Sequence, residues 1–340
     1  MNAPDAAEDS AESANESREP EILEVVGGVT SQACAWPSTV NISGCTGTLI
    51  HPRVVTTAAH CIRPASAANT RITFTAGTGG GGTSFSVQAR CKSGANGATG
   101  GGTNRDWSYC ILPDDERVKR MPITPPLVGC EAQKYAKAGA TAWVVGFGTT
   151  GPQGRGGGVK REVAVKINRN SGGVVNVGDK NVGACHGDSG GPLYMRLTDG
   201  TKDYGWRVLG STSSAGEPRC DCTCSTAYVD IAQHVKAIEA NEGIDVTPCT
   251  DNNGNWAPTA ACAKFPSTPE KGTGTYPQCT IGYTQGPIES CGPNTAGGTA
   301  APSTSAPTAA TPTPIPSTPA PTTPSTPAPT TPTIPRWPWT

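Results

Sequence analysis

Gly187-Asp188-Ser189-Gly190-Gly191-Pro192 constrains this chain more than any other stretch. Its glycines and proline put a serine hydroxyl on a tight turn with a carboxylate beside it. A serine hydroxyl is a weak nucleophile at neutral pH and needs an adjacent base. Imidazole is the usual base, because it takes a proton and returns it. The chain has four histidines, His51, His60, His186 and His234. One of them, His60, sits in Thr57-Ala58-Ala59-His60-Cys61.

The remaining composition bounds the fold. A length of 340 residues suits one large domain or two modest ones. Fourteen cysteines point to disulfides formed in an oxidising compartment, so a secreted, extracellular protein is expected. No run of eighteen apolar residues occurs, so no membrane span is expected. The opening Met1-Asn2-Ala3-Pro4-Asp5 lacks the apolar core of a secretory signal. Residues 1–24 carry eight acidic side chains and one basic one, a net of −7 against −1 for the whole chain, so the remainder is +6. That positive charge is diffuse and argues against nucleic acid as a partner.

Four zones follow from composition. Residues 1–24 are acidic and poor in apolar side chains, as in a disordered segment. Residues 25–243 hold the β-branched runs, such as Arg53-Val54-Val55-Thr56-Thr57 and Ala142-Trp143-Val144-Val145, separated by turn formers. Ile231, Val235 and Ile238 recur at helical spacing, and Gly243 follows as a stop signal. Residues 244–292 contain Cys249, Cys262, Cys279 and Cys291, which suggests a small four-cysteine module. Residues 293–340 are rich in Pro, Thr, Ser and Ala and form an extended tail that cannot bury a core. Three glycine clusters, at 79–82, 100–102 and 156–158, lack the context of a phosphate loop and read as surface loops.

The two motifs, with the residues between them, resemble the trypsin/chymotrypsin family of serine endopeptidases. Thr57-Ala58-Ala59-His60-Cys61 and Gly187–Pro192 match the family's histidine and serine motifs without a change. Asp106, in Arg105-Asp106-Trp107-Ser108-Tyr109-Cys110-Ile111-Leu112, resembles the family's aspartate at a strand entry. Asp114 and Asp115 compete for that role, but they stand in a charged stretch that reads as a solvated turn. Val145-Gly146-Phe147-Gly148 resembles the Gly-Trp-Gly segment, and Val25-Val26-Gly27-Gly28 the family's mature start. The likeness covers residues 25 to about 241.

The resemblance implies an all-β fold of two six-stranded Greek-key barrels with a C-terminal helix. It implies a triad of His60, Asp106 and Ser189, with the Gly187 and Ser189 amides as oxyanion donors. It also implies a zymogen, in which cleavage frees the Val25 ammonium to pair with Asp188. Residues 1–24 would then be an activation peptide, although Glu24 stands where the family usually has Arg or Lys. It pairs Cys45 with Cys61 and Cys185 with Cys220. The pocket floor falls at Gly183, with Ala184 next, and the walls at Ser213, Ala215 and Thr226. No carboxylate stands at the floor, so a non-basic residue before the cut is expected, and Ala215 and Thr226 as walls would make the pocket shallow and favour a small or medium apolar one. An aromatic residue there is the runner-up.

The other signals read blandly. His51 and His234 are expected to be surface or packing residues, and His186 to line the cleft. The alternating Cys220, Cys222 and Cys224 point to separate disulfides, and neither metal nor organic cofactor is expected. Asn15-Glu16-Ser17 and Asn41-Ile42-Ser43 are glycosylation sequons. Protein or peptide substrates and a monomeric state are expected. Trp256, Tyr276 and Tyr283 leave open a wall-polymer contact through residues 244–292. The rival readings are a non-catalytic homologue that binds a partner and a stalked, wall-binding surface protein.

Overall fold

A computed structural model describes residues 25–31, 35–75, 84–94, 104–119, 121–150, 156–179, 181–198, 200, 203–214, 225–251 and 253–262. The acidic segment 1–24, two of the glycine clusters, the cysteine run 220–224 and the tail 293–340 lie outside the described residues. So do Ala215, Cys220, Cys279 and Cys291.

The strands run in chain order as β1 (Val29–Thr30), β2 (Thr39–Ile42), β3 (Cys45–His51), β4 (Val54–Thr57), β5 (Thr70–Thr75), β6 (Ser84–Ser93) and β7 (Ser108–Ile111). They continue as β8 (Thr141–Gly146), β9 (Arg161–Ser171), β10 (Val174–Val177), β11 (Pro192–Thr198), β12 (Asp203–Ser214) and β13 (Thr226–Asp230). Among the described residues the α-helices are α1 (Glu116–Lys119), α2 (Gly129–Tyr135) and α3 (Val235–Glu242). The strand signal is period two where one face is solvated. In β5, buried Thr70, Ile72 and Phe74 alternate with more accessible Arg71, Thr73 and Thr75.

β2 to β7 close into a barrel in the order β2-β3-β4-β7-β6-β5. The second sheet runs β1-β9-β10-β13-β12-β11-β8, and β8 pairs back onto β9 to close a second six-stranded barrel. The two barrels share one connectivity: three consecutive strands, then three more in reverse spatial order. This is the two-barrel, mostly β architecture that the family resemblance implied. The Ile231, Val235 and Ile238 pattern forms a single 3₁₀ turn followed by α3. Gly243 ends it in the left-handed region at φ 64°, and its N–H closes onto Glu239.

Each barrel fills its own interior. Val40, Leu49, Val55, Ile72 and Phe74 pack the first, and Val144, Val165, Val175, Leu193 and Leu209 pack the second. A third apolar cluster joins them, drawing Trp36, Trp107 and Tyr109 against Tyr194, Trp206, Val229 and Ile238. The Trp36 ring stacks on Tyr194 at 4.9 Å between centroids and meets Trp206 edge-on. Val246, past α3, is fully buried in the same cluster, and the Cys249–Cys262 disulfide follows it. The residues 244–262 that are described thus continue the core.

Candidate active site

The pairing of β4 with β7 brings His60 and Asp106 together. Their register places Thr57 opposite Ser108. Asp106 lies two residues before Ser108, and His60 sits in the 3₁₀ turn three residues after Thr57. A separation of 46 residues thereby becomes a contact: His60 Nδ1 lies 2.8 Å from Asp106 Oδ2, and the His60 amide donates to Oδ1 at 3.1 Å. Asp106 is fully buried. Ser213, near the end of β12, donates its hydroxyl to Asp106 Oδ2 at 2.6 Å. Burial alone would raise the Asp106 pKa. The hydrogen bonds from His60 and Ser213, with the His60 charge, outweigh it and hold the carboxyl below its ordinary value. An ionised carboxylate only accepts, so His60 carries its proton on Nδ1 and leaves the Nε2 lone pair facing outward. The imidazole is 30% exposed, so a substrate can reach it.

Ser189 enters from the second barrel, on the turn that leads into β11. Its carbonyl accepts from the Thr46 amide of β3 at 2.9 Å. The next residue explains the glycine there. A Cβ on Gly190, at φ 78°, would lie 2.0 Å from Thr57 Oγ1 and 2.7 Å from the Ala58 amide. The serine turn is therefore pressed against the segment that carries His60. The Cys45–Cys61 disulfide staples that segment to β3, as the resemblance implied. Cys185 is also disulfide-bonded, while its expected partner Cys220 lies outside the described residues.

The turn presents two amides. Thr149 donates its N–H to the His186 carbonyl at 2.7 Å. A trans peptide points its C=O and the following N–H in opposite directions. Holding the His186 carbonyl toward Thr149 therefore turns the Gly187 N–H to the other side. The Gly187 carbonyl is held in turn by Thr46 Oγ1 at 2.8 Å. Neither the Gly187 nor the Ser189 amide donates to another described residue.

Asp188 points away from this face, into the second barrel, and is fully buried. It accepts from the Gly148 amide at 2.8 Å and the Cys185 amide at 2.9 Å. The two glycines of the Gly146-Phe147-Gly148 segment make room for it. A Cβ on Gly146 would sit 2.0 Å from Asp188 Oδ1, and one on Gly148 2.5 Å from Oδ2. Burial pushes the Asp188 pKa up to about 6, against the pull of the two amides and of Arg161. Val25 is buried in the core of the same barrel, and the Val26 carbonyl accepts from the Gly183 amide at 3.1 Å. Gly27 must be glycine, because a Cβ would meet the Asn181 carbonyl at 2.4 Å.

Gly183, Ala184 and Thr226 lie together and are buried. The Ala184 amide donates to Thr226 Oγ1 at 3.1 Å, and a Cβ on Gly183 would meet that oxygen at 2.9 Å. The Thr226 side chain thus reaches the floor position. Ser213, expected as a pocket wall, also supplies Asp106 with a donor that sequence reasoning missed. The competing carboxylates are solvated: Asp115 pairs with Arg117 and Asp114 with Lys119. Other residues lie off the site. His51 takes the Arg53 amide on its Nδ1, and Asn41 of the second sequon lies half-buried within β2. The Cys91–Cys110 disulfide, between directly paired residues of β6 and β7, was not foreseen.

A search of curated proteins returned no match. A family model, Trypsin, matches residues 25–238, which is more than half of the chain and contains every one of the residues just assembled from 25 to 226. With two six-stranded barrels meeting at His60, Asp106 and Ser189, this chain belongs to the trypsin family of serine proteases.

Proposed function

We propose that this protein is a secreted serine endopeptidase that cleaves through an acyl-enzyme, and that Ser189, His60 and Asp106 carry the reaction. The supporting observation is the buried Asp106 carboxylate. Its bond to His60 Nδ1 sets the tautomer that leaves Nε2 basic. Ser189 Oγ attacks the substrate carbonyl carbon while His60 Nε2 takes the hydroxyl proton. The carbonyl oxygen becomes an oxyanion held by the Gly187 and Ser189 amides, each worth ~3 kcal/mol of barrier. His60 then protonates the leaving amine, the C–N bond breaks, and Ser189 is left acylated. Water repeats the sequence with His60 as base and releases the acid.

The enzyme is made as a zymogen. Asp188 is a buried carboxylate whose pKa burial pushes up to about 6, so an added positive partner would stabilise its charged form. An ammonium at Val25, freed by removal of residues 1–24, supplies that partner. The Thr226 hydroxyl at the Gly183–Ala184 floor supports a shallow pocket for small or medium apolar side chains. The disulfides fit an oxidising, extracellular setting.

A fluorophosphonate probe tests the reading. It is expected to label Ser189 in protein beginning at Val25, and to label neither Ser189→Ala nor the uncut chain. Absence of labelling after confirmed cleavage overturns it and leaves a non-catalytic binding homologue. A peptide-library profile dominated by Lys or Arg overturns the pocket assignment alone.

A further inference from the structure

His234 was expected to be a surface or packing residue, and it packs on the segment that carries Asp106 in two ways. Its ring stacks on Trp107, the residue after Asp106, with centroids 4.0 Å apart and planes 20° from parallel. It also donates a ring N–H to the Asn104 backbone carbonyl, two residues before Asp106. The partnerless nitrogen is Nε2, so that donor is Nδ1. The Gly172–Gly173 turn also borders the segment, and a Cβ on Gly173 would lie 3.1 Å from Asn104 Cβ and 3.3 Å from Gln233 Cγ. Residues 104–107 are thus gripped from outside the first barrel by the turn before α3.

Behind this grip lies a small cavity, lined in part by Thr57, Trp107, Ser108, Ser211, Val229 and His234. It leaves about 10 Å³ for the centre of a water molecule. That is about the least that one water needs. Most polar atoms around it are already satisfied: Thr57 Oγ1 donates to Thr46, and Ser211 Oγ to Gly190. Two are not. Ser108 Oγ and His234 Nε2 are both buried without a protein partner. Leaving such a group unsatisfied costs about 1–3 kcal/mol. Their chemistry is complementary. With its proton on Nδ1, His234 offers a lone pair at Nε2, and burial keeps the ring neutral by pushing its pKa down to about 4. Ser108 offers an O–H.

We propose that His234 is a positioning residue for Asp106, acting through Trp107 and the Asn104 carbonyl. One structural water, accepting from Ser108 Oγ and donating to His234 Nε2, completes its hydrogen bonding. Because α3 packs in the seam between the barrels, His234 ties the placement of the first barrel's carboxylate to the second barrel. The kinetic part of this inference rests on the catalytic reading above; the structural part does not.

Two variants and two readouts test it. His234→Phe keeps a ring on Trp107 and can neither donate nor accept. His234→Gln restores an N–H toward Asn104. The low-field proton resonance of His60 Nδ1–H, which reports its bond to Asp106, is expected to shift in His234→Phe and return in His234→Gln. In cleaved protein, kcat is expected to fall about three- to tenfold in His234→Phe, with KM unchanged. An unmoved His60 resonance in His234→Phe overturns the positioning role, even if thermal stability falls. A high-resolution crystal structure is expected to show one water between Ser108 and His234, and an empty cavity overturns the bridge. If wild-type cleaved protein takes no fluorophosphonate, the catalytic reading fails, while the resonance and the water still decide this inference.

Discussion

Asp106 and Asp188 are both fully buried carboxylates, one at the edge of each barrel, and their surroundings treat them oppositely. Asp106 receives three donors, the His60 ring, the His60 amide and the Ser213 hydroxyl, and its pKa is lowered. Asp188 receives two amides and the more distant Arg161, and burial pushes it up to about 6. Burial penalises a charge in both places, and Asp106 has one more hydrogen-bond donor to offset it. The first carboxylate is complete in the uncut chain. The second has one donor fewer, and the proposed Val25 ammonium would add a positive partner.

The largest expected effect breaks the complete carboxylate. Asp106→Asn keeps the shape but lets the side-chain amide donate to Nδ1, which favours the wrong His60 tautomer. In cleaved protein kcat is expected to fall on the order of 10⁴-fold, read from steady-state hydrolysis of a peptide substrate.

Asp188→Asn probes the incomplete one and should act in opposite directions before and after cleavage. After cleavage it would remove the proposed partner of the Val25 ammonium, and on that proposal activity is expected to drop on the order of 10²–10³-fold, the size of a lost oxyanion donor. Before cleavage the sign reverses. A folded pKa near 6 lies above the ordinary 3.8, so the protonated form contributes stability that is fully present below about pH 3.8 and lost as pH rises through 6. Uncut Asp188→Asn is therefore expected to be more stable than wild type at pH 7, on the order of 2–3 kcal/mol, with no gain near pH 3.5. Denaturant melts at the two pH values measure this, and equal gains at both contradict the shift. Asp106 runs the other way. Its pKa is depressed, so its contribution is present at neutral pH and lost as pH falls through the lowered value.

Gly146→Ala tests whether the slot around Asp188 is as tight as its glycines imply. The added methyl has no room at 2.0 Å from Oδ1, and a loss of about 1–3 kcal/mol is expected in the uncut chain. The smallest effect belongs to Ser213→Ala, which moves Asp106 toward the condition of Asp188 by deleting one donor of three. A fall in kcat of about tenfold is expected, with the acid limb of the pH–rate profile moving, and no change in either marks the bond as idle.

Much of the site was legible because turn chemistry is local. Glycine at 190 is required by contacts that its own motif foreshadows, while the Cys45–Cys61 pairing came from the resemblance. The helical spacing of Ile231, Val235 and Ile238 also read correctly, since it depends on neighbours three and four residues away. The Cys91–Cys110 bridge could not be read, because it depends on the register between β6 and β7. His234 looked idle for a similar reason: Trp107 lies far from it in sequence and becomes its neighbour only where the two barrels meet.

The sequence by itself determined the chemistry on offer, a serine on a glycine turn, a histidine beside a cysteine, and an aspartate at a strand entry. These are properties of side chains and short turns, and they survive being read one segment at a time. Only the tertiary structure decided which way each carboxylate's pKa moves. A pKa answers to burial and to donors from distant strands, and those exist only after two barrels have closed and packed against each other.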